Sequence, residues 1–252
     1  MTLWEGLAVL AAGAGAGTIN VIVGSGTLIT FPVLLALGLP PVTANVSNTL
    51  GLVPGSVSGA IGYRRELAGQ RGRLLRLGTA AVLGGLLGAF LLTRLPSQAF
   101  AAIVPVLILL ALVLVVVQPR VAKAVAARSS AGAAQDGSPA LVAGIFLTGI
   151  YGGYFGAAQG VLMLALMGML LRDDLQRMNA AKNVLAVLVN GVAAVFFLFT
   201  ATIDWTAALL IAVGSTLGGV LGARIGRRLP PVAMRAVIVV VGLVAVTKLL
   251  IS

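Results

Sequence analysis

Apolar residues along this chain run in blocks of about 20, over 43–62, 74–93, 98–117, 180–200, 204–223 and 232–251. At 1.5 Å per residue, about 20 helical residues cross roughly 30 Å of hydrocarbon, so each block predicts a transmembrane helix. Two further apolar stretches, 3–38 and 139–171, are too long for one crossing and awkward for two. Glycines interrupt both: Gly24-Ser25-Gly26 in the first, Gly152-Gly153 and then Gly156-Ala157-Ala158-Gln159-Gly160 in the second. Relaxed backbone at membrane depth is tolerated only inside protein or against a water-filled cavity. Each stretch therefore predicts a broken helical hairpin with its tip inside the bundle.

The pattern also repeats. Leu83-Gly84-Gly85-Leu86-Leu87-Gly88-Ala89 leads into Arg94-Leu95-Pro96, and Leu217-Gly218-Gly219-Val220-Leu221-Gly222-Ala223 leads into Arg228-Leu229-Pro230; residues 83–99 and 217–233 are identical at 10 of 17 positions. An internal duplication in so apolar a chain is the ground plan of a secondary transporter, with a substrate site between the halves near the membrane midplane. The glycines themselves read as packing faces. The expected organisation is a first transmembrane repeat over 1–117, a small, polar linker over 118–138 on the cytoplasmic side, and a second repeat over 139–252.

Basic residues decide the orientation of the repeats. If each hairpin returns to its own side, each half has five elements and the second enters the membrane upside down. The loop Arg64 to Arg76, the linker with Arg120, Lys123 and Arg128, and the loop with Arg224, Arg227 and Arg228 then share one side, the cytoplasm. Single crossings would put the first and last of these loops on opposite sides. The expected fold is thus an all-α polytopic membrane protein of two inverted repeats, each a glycine-broken hairpin plus three long transmembrane helices, with both termini outside.

Composition agrees. The hydrophobic fraction is 60% and charged residues make up 9%, where a soluble domain carries about 25%. The net charge of +11 lies in loops rather than along a stripe, which speaks for membrane topology and against nucleic acid. With no Cys and no His, thiolate or imidazole metal sites and Ser-His or Cys-His catalysis are excluded, and no enzyme, metal or cofactor is expected. Met1-Thr2-Leu3-Trp4-Glu5 lacks a basic leader region, so the first helix is expected to stay in the protein.

Three polar clusters interrupt the apolar blocks: Gly24-Ser25-Gly26-Thr27 with Asn20 a turn upstream, Thr43 to Thr49, and Asn179 to Asn183 with Gln159 at the second tip. Helix starts offer unpaired N–H groups and about half a positive charge, and Ser, Thr and Asn add neutral donors, so the clusters suit a small anion. The candidate substrate-binding set is Ser25, Gly26, Thr27, Asn45, Asn48, Gln159, Gly160, Lys182 and Asn183, with Asn48 and Asn183 as counterparts in the two halves. Lys182 lies just inside a span, where it either faces the substrate or a water-filled cavity, or snorkels to the headgroups. Asn45 and Asn48 share a helix face, and helix capping or interhelical hydrogen bonding is the structural alternative for each. The six carboxylates, Glu5, Glu66, Asp136, Asp173, Asp174 and Asp204, fall at loops or helix ends, which gives no sign of an intramembrane proton relay.

The Gly-x-Gly-Thr tip with Phe31-Pro32 and Leu37-Gly38-Leu39, the start Ala44-Asn45-Val46-Ser47-Asn48-Thr49, and Ile203-Asp204-Trp205 leading into Gly218 to Ala223 resemble the sulfite exporter TauE/SafE family over nearly the whole chain. The resemblance implies transport of small sulfur-containing anions such as sulfite, thiosulfate or organosulfonates including sulfoacetate. The expectation is a multi-pass transporter of the bacterial inner membrane that exports such an anion, its partners being that anion and the lipid bilayer. An anion channel of similar architecture is the alternative. The sequence leaves open whether the protein works as a homodimer.

Overall fold

The computed structural model describes residues 1–128, 138–171, 173–225, 236, 238–244 and 246–247, with backbone alone for 121–128 and 225. Among these the structure is helical, without strands. The elements are α1 (Leu3–Ile22), α2 (Thr27–Ala36), α3 (Pro41–Gly62), α4 (Arg71–Arg94), α5 (Ser97–Arg128), α6 (Pro139–Tyr154), α7 (Gln159–Leu170), α8 (Leu175–Thr200) and α9 (Trp205–Ile225). Among the described residues, five helical segments are long and apolar enough to cross a membrane: Leu3–Ile22, Arg71–Arg94, Ser97–Arg120, Leu175–Thr200 and Trp205–Arg224. Helix α3 has 22 residues but carries the polar cluster Thr43 to Thr49, which dilutes its hydropathy. Helix α5 continues to Arg128, into the stretch read as linker. Residues 129–137, Arg227 and Arg228, and half of the expected helix 232–251 lie outside the described residues.

Local chemistry sets the helix starts. Thr2 and Glu5 cap α1 reciprocally, Thr2 Oγ1 accepting from the Glu5 amide and Glu5 Oε2 from the Thr2 amide. Ser138 caps α6 by accepting from the Leu141 amide at 3.2 Å, with Pro139 at the first helical position. Both hairpins break once. Gly24 turns the first with φ +87° and Gly156 turns the second with φ +78°, a conformation that costs an L side chain and not glycine. The second break is at 155–158; Gly152 and Gly153, expected to interrupt the helix, lie inside α6. There a Cβ on Gly153 would collide with backbone at Gly85 and Ala89, so these glycines serve close approach rather than a turn.

The halves pack by exchange. Helix α1 lies against α9 and α6 against α4; α3 lies against α9 and α8 against α4; α3 and α8 meet each other. The small residues of the duplicated segment make these crossings. A Cβ on Gly84 would strike the Phe146 carbonyl of α6, and one on Gly218 the Ala14 carbonyl of α1. Likewise Gly88 meets Ile150 of α6 and Gly222 meets Thr18 of α1. Thr18 Oγ1 also donates to Gly218 O at 3.0 Å, across a sequence separation of 200. Such approach maximises van der Waals contact where lipid removes the usual hydrophobic drive between helices.

The ends of α3 and α9 lie at one face of the bundle: a Cβ on Gly62 would meet the Ala223 side chain, and Tyr63 and Leu67 cluster with Ala223, Val21 and Ala180. The loop after α3 and the end of α9 therefore share a face.

Candidate functional site

The two hairpin tips touch through backbone. The Gly160 amide, in the first turn of α7, donates to Gly24 O at 3.3 Å. A Cβ on Gly24 would come within 2.5 Å of Gly160 Cα, and one on Gly160 within 2.6 Å of Gly24 Cα, so neither position has room for a side chain. Breaking each hairpin at a glycine is what lets two loops cross this closely in the interior.

Around the crossing, all nine candidate residues are buried. Their hydrogen bonds divide them. Asn48 is engaged with α2: its Nδ2 donates to Thr27 Oγ1 at 3.2 Å, and Thr30 Oγ1 donates to its Oδ1. The Gly160 amide is spent on Gly24. The Gly26 amide reaches Asn20 Oδ1 at 3.5 Å, and Asn20 Nδ2 donates to Ser56 Oγ at 3.0 Å. Tyr151 braces the second tip by donating its hydroxyl to Ala157 O at 2.5 Å.

Other side chains are not fully used. Ser25 Oγ, Asn45 Oδ1, Gln159 Oε1, Asn179 Oδ1 and Asn183 Nδ2 are buried polar atoms with no hydrogen-bond partner. Gln159 Nε2 donates to Asn190 Oδ1 at 3.1 Å, which fixes the side chain while leaving its oxygen unmatched. Buried polar atoms are normally paired, so the unmatched atoms of Ser25 and Gln159, next in sequence to the crossing glycines Gly24 and Gly160, are ones a small polar ligand would complete.

Lys182 does not snorkel. It is 1% exposed, its stem runs beside Gly160, and its Nζ donates to Val21 O at 3.1 Å and Asn20 O at 3.4 Å. It thereby closes the C-terminal end of α1, where carbonyls lack intrahelical donors and carry about half a negative charge.

Two asparagines show how the halves correspond. Asn45 Nδ2 donates to Tyr154 O, at the end of α6, at 3.0 Å; Asn179 Nδ2 donates to Val21 O, near the end of α1, at 3.5 Å. Each starts its half's long helix and holds the end of the other half's first helix. Their spacing matches that of Gly84 and Gly218, so Asn48 stands in register with Lys182, not with Asn183. One half thus presents a neutral amide where the other presents an ammonium. Asn179, Asn190 and Thr30 complete the cluster from outside the sequence-derived set. Asn179 was signalled by its spacing from Asn45, and Thr30 by lying one helical turn after Thr27.

No group of three His, Cys, Asp or Glu side chains that could hold a metal occurs among the described residues. The chemistry available is hydrogen bonding and one ammonium, suited to holding a ligand rather than transforming it.

Similarity to known proteins agrees with this arrangement. The chain is 28% identical over 236 residues to the probable membrane transporter protein YfcA of Escherichia coli strain K12, covering 93% of this chain and 86% of that one. It is 26% identical over 240 residues to a probable membrane transporter protein of Haemophilus influenzae, covering 93% and 90%. It is also 26% identical over 241 residues to the probable membrane transporter protein ORF9 of a Sinorhizobium species, covering 93% and 88%. No solved structure matches the chain. The relatives are described as probable membrane transporters, and the apolar helices fit a multi-pass protein of the inner membrane. The family description sulfite exporter TauE/SafE matches residues 9–249, nearly the entire length, and the chain belongs to that family of membrane transporters.

Proposed function

We propose that this transporter carries a small sulfur-containing oxyanion, such as sulfite, thiosulfate or an organosulfonate, outward across the inner membrane, and that its halves are inverted repeats with the anion held where the two tips cross. The observation that carries this reading is the pair of buried, unpartnered donors beside the crossing: Ser25 Oγ, which follows Gly24, and Asn183 Nδ2, which follows Lys182. Hydrogen bonds from such groups replace hydration lost by an anion, and the Lys182 ammonium offsets its charge. Thr27, Gly26, Asn45, Asn48, Gln159 and Gly160 form the surrounding cradle. Outward movement needs no coupling ion, because an inside-negative potential favours anion exit by about 2.3 kcal/mol per charge per 100 mV.

Counterflow in liposomes tests the proposal. Trans-sulfite should accelerate uptake of labelled sulfite, and Asn183→Ala should weaken apparent affinity about tenfold, since hydrogen bonds to charged ligands contribute roughly 1.5 to 3 kcal/mol. Flux without trans-stimulation would indicate a channel. Unaltered affinity in folded Ser25→Ala, Lys182→Met and Asn183→Ala proteins would remove the site from the tips.

A further inference from the structure

Helix packing sorts the described elements into two bodies that do not coincide with the two halves of the sequence. One holds α1, α2, α3 and α9; the other holds α4, α6, α7 and α8. Inside each, helices from different halves approach to backbone contact. A Cβ on Gly17 of α1 or Gly55 of α3 would strike Ser215 O of α9, and one on Gly153 of α6 would strike Gly85 O of α4. Interior hydrogen bonds follow the same division, Ser215 Oγ donating to Gly51 O in the first body and Gln159 Nε2 to Asn190 Oδ1 in the second. Helices meshed this closely leave no slack for sliding, so each body is stiff.

The joints between the bodies are fewer. Among the described residues the main ones are the meeting of α3 with α8, the touching tips at Gly24 and Gly160, and α5, which leans on α3 of one body and on α7 and α8 of the other. Two side-chain clasps complete them, at opposite faces. At the face where α3 ends, Lys182 Nζ and Asn179 Nδ2 of α8 donate to Val21 O near the end of α1, and Ala180 clusters with Val21 and Tyr63. At the face where α3 begins, Asn45 Nδ2 of α3 donates to Tyr154 O at the end of α6, and Phe31 meets Phe155 edge-on at 5.3 Å. Each clasp is a side chain of one body holding the open end of a broken helix in the other. A carbonyl freed at a helix end accepts from water once its face opens, so such bonds break and re-form at little cost.

We propose that the body of α1, α2, α3 and α9 rocks against the body of α4, α6, α7 and α8 about the α3–α8 contact, and that Asn45 and Lys182 gate opposite faces, one releasing while the other holds. This rests on transport itself, which family membership establishes, and not on which anion is carried or where it binds.

The test reads tip exposure and helix separations in the full chain, which has no native Cys, with no substrate added. Thr202→Cys and Ala68→Cys first identify the two faces in vesicles. Labelling of Ser25→Cys by an impermeant maleimide should then rise about threefold to tenfold from the Thr202 face in Asn45→Ala, the effect of one lost hydrogen bond, and by a similar factor from the Ala68 face in Lys182→Met. Asn45→Leu and Asn179→Ala take their places if either variant fails to fold. Nitroxide pairs at exposed positions show what moves. Trp4 and Leu95 belong to one half and to different bodies, and their separation should lengthen in Asn45→Ala. Trp4 and Leu217 belong to different halves and to one body, and theirs should stay fixed in every background. A changing Trp4–Leu217 separation with a fixed Trp4–Leu95 separation would return the motion to the sequence halves and overturn the inference. Two fixed separations, clasp variants that leave Ser25→Cys labelling unchanged, or variants that both raise it from the same face would overturn it too.

Discussion

Arg73 donates to Asp173 Oδ2 at 2.6 Å, tying the first turn of α4 in one half to the loop before α8 in the other. Arg177 completes the junction, its Nε donating to Asp173 Oδ1 at 3.0 Å and its guanidinium to Ala68 O at 3.0 Å. Gln70 bridges in the reverse direction, from Nε2 to Arg177 O at 2.9 Å. The Arg73 side chain is 4% exposed and that of Asp173 13%, so this pair is shielded more than a surface ion pair and is worth more.

Replacing Asp173 by Asn should lower unfolding stability in detergent by about 2 kcal/mol, the scale of hydrogen bonds to charged groups. Burial raises the Asp173 carboxyl, but Arg73, the Asp174 amide and Arg177 together outweigh it and hold the group below its ordinary value. A depressed carboxylate contributes fully above its ordinary titration range and loses its contribution as pH falls through the folded value. The stability difference between wild type and Asp173→Asn should therefore be constant near neutrality and shrink only below about pH 4. A difference that shrank on going alkaline would contradict the assignment.

Gly24→Ala should abolish transport while Gly69→Ala should not. Both glycines have positive φ, +87° and +77°, so both substitutions carry left-handed strain. At Gly69 nothing lies within 4 Å, whereas at Gly24 the new Cβ would press into Gly160. The shared strain, about 1 kcal/mol, cancels in the comparison, and the remaining difference in flux reports the tip contact. Equal activity of the two variants would show that the tips need not touch.

Single-cysteine labelling should place Ala68 and Arg224 on the cytoplasmic side and Thr202 on the opposite side. All three are exposed, and the native chain has no Cys to interfere. An impermeant maleimide that reaches Ala68→Cys and Arg224→Cys from opposite sides would refute the inverted arrangement.

Neutralising Asp173, Asp174 or Asp204 should leave the response of transport to a pH gradient unchanged. Each carboxylate is already engaged in holding the fold, since Asp173 binds Arg73, Asp174 accepts from the Gln176 and Arg177 amides, and Asp204 accepts from the Ala207 amide at 2.8 Å. Loss of proton-driven flux with exchange preserved, in any one of the Asn variants, would identify a coupling carboxylate.

Much of the fold was legible because lipid makes the length of an apolar run the dominant signal, and the breaks near Gly24 and Gly156 could be read for the same reason. Gly152 and Gly153 misled because glycine serves both turns and close packing, and only the neighbouring backbone at Gly85 and Ala89 reveals which. At the proposed site, the polar residues singled out inside apolar blocks are all buried. What the sequence could not assign is which atom of each amide is already committed: Asn48 goes to α2, Asn45 and Asn179 to the opposite hairpins, and Lys182 to the end of α1. Those commitments depend on helices more than 100 residues apart for three of the four side chains.

The exchange of helices between halves also sets a timetable. The groove that Gly13 and Gly17 leave on α1 is filled by Ile211 and Ser215, and Thr18, which already donates to Ala14 O, finds a second acceptor at Gly218, on a helix the ribosome makes some 200 residues later. At roughly 5 to 20 residues per second, the first hairpin waits on the order of 10 to 40 s in the bilayer before its partner exists. During that interval the face of α1 that α9 will cover must be sheltered by something other than α9, so early biogenesis makes a demand on the insertion machinery that the finished transporter no longer displays.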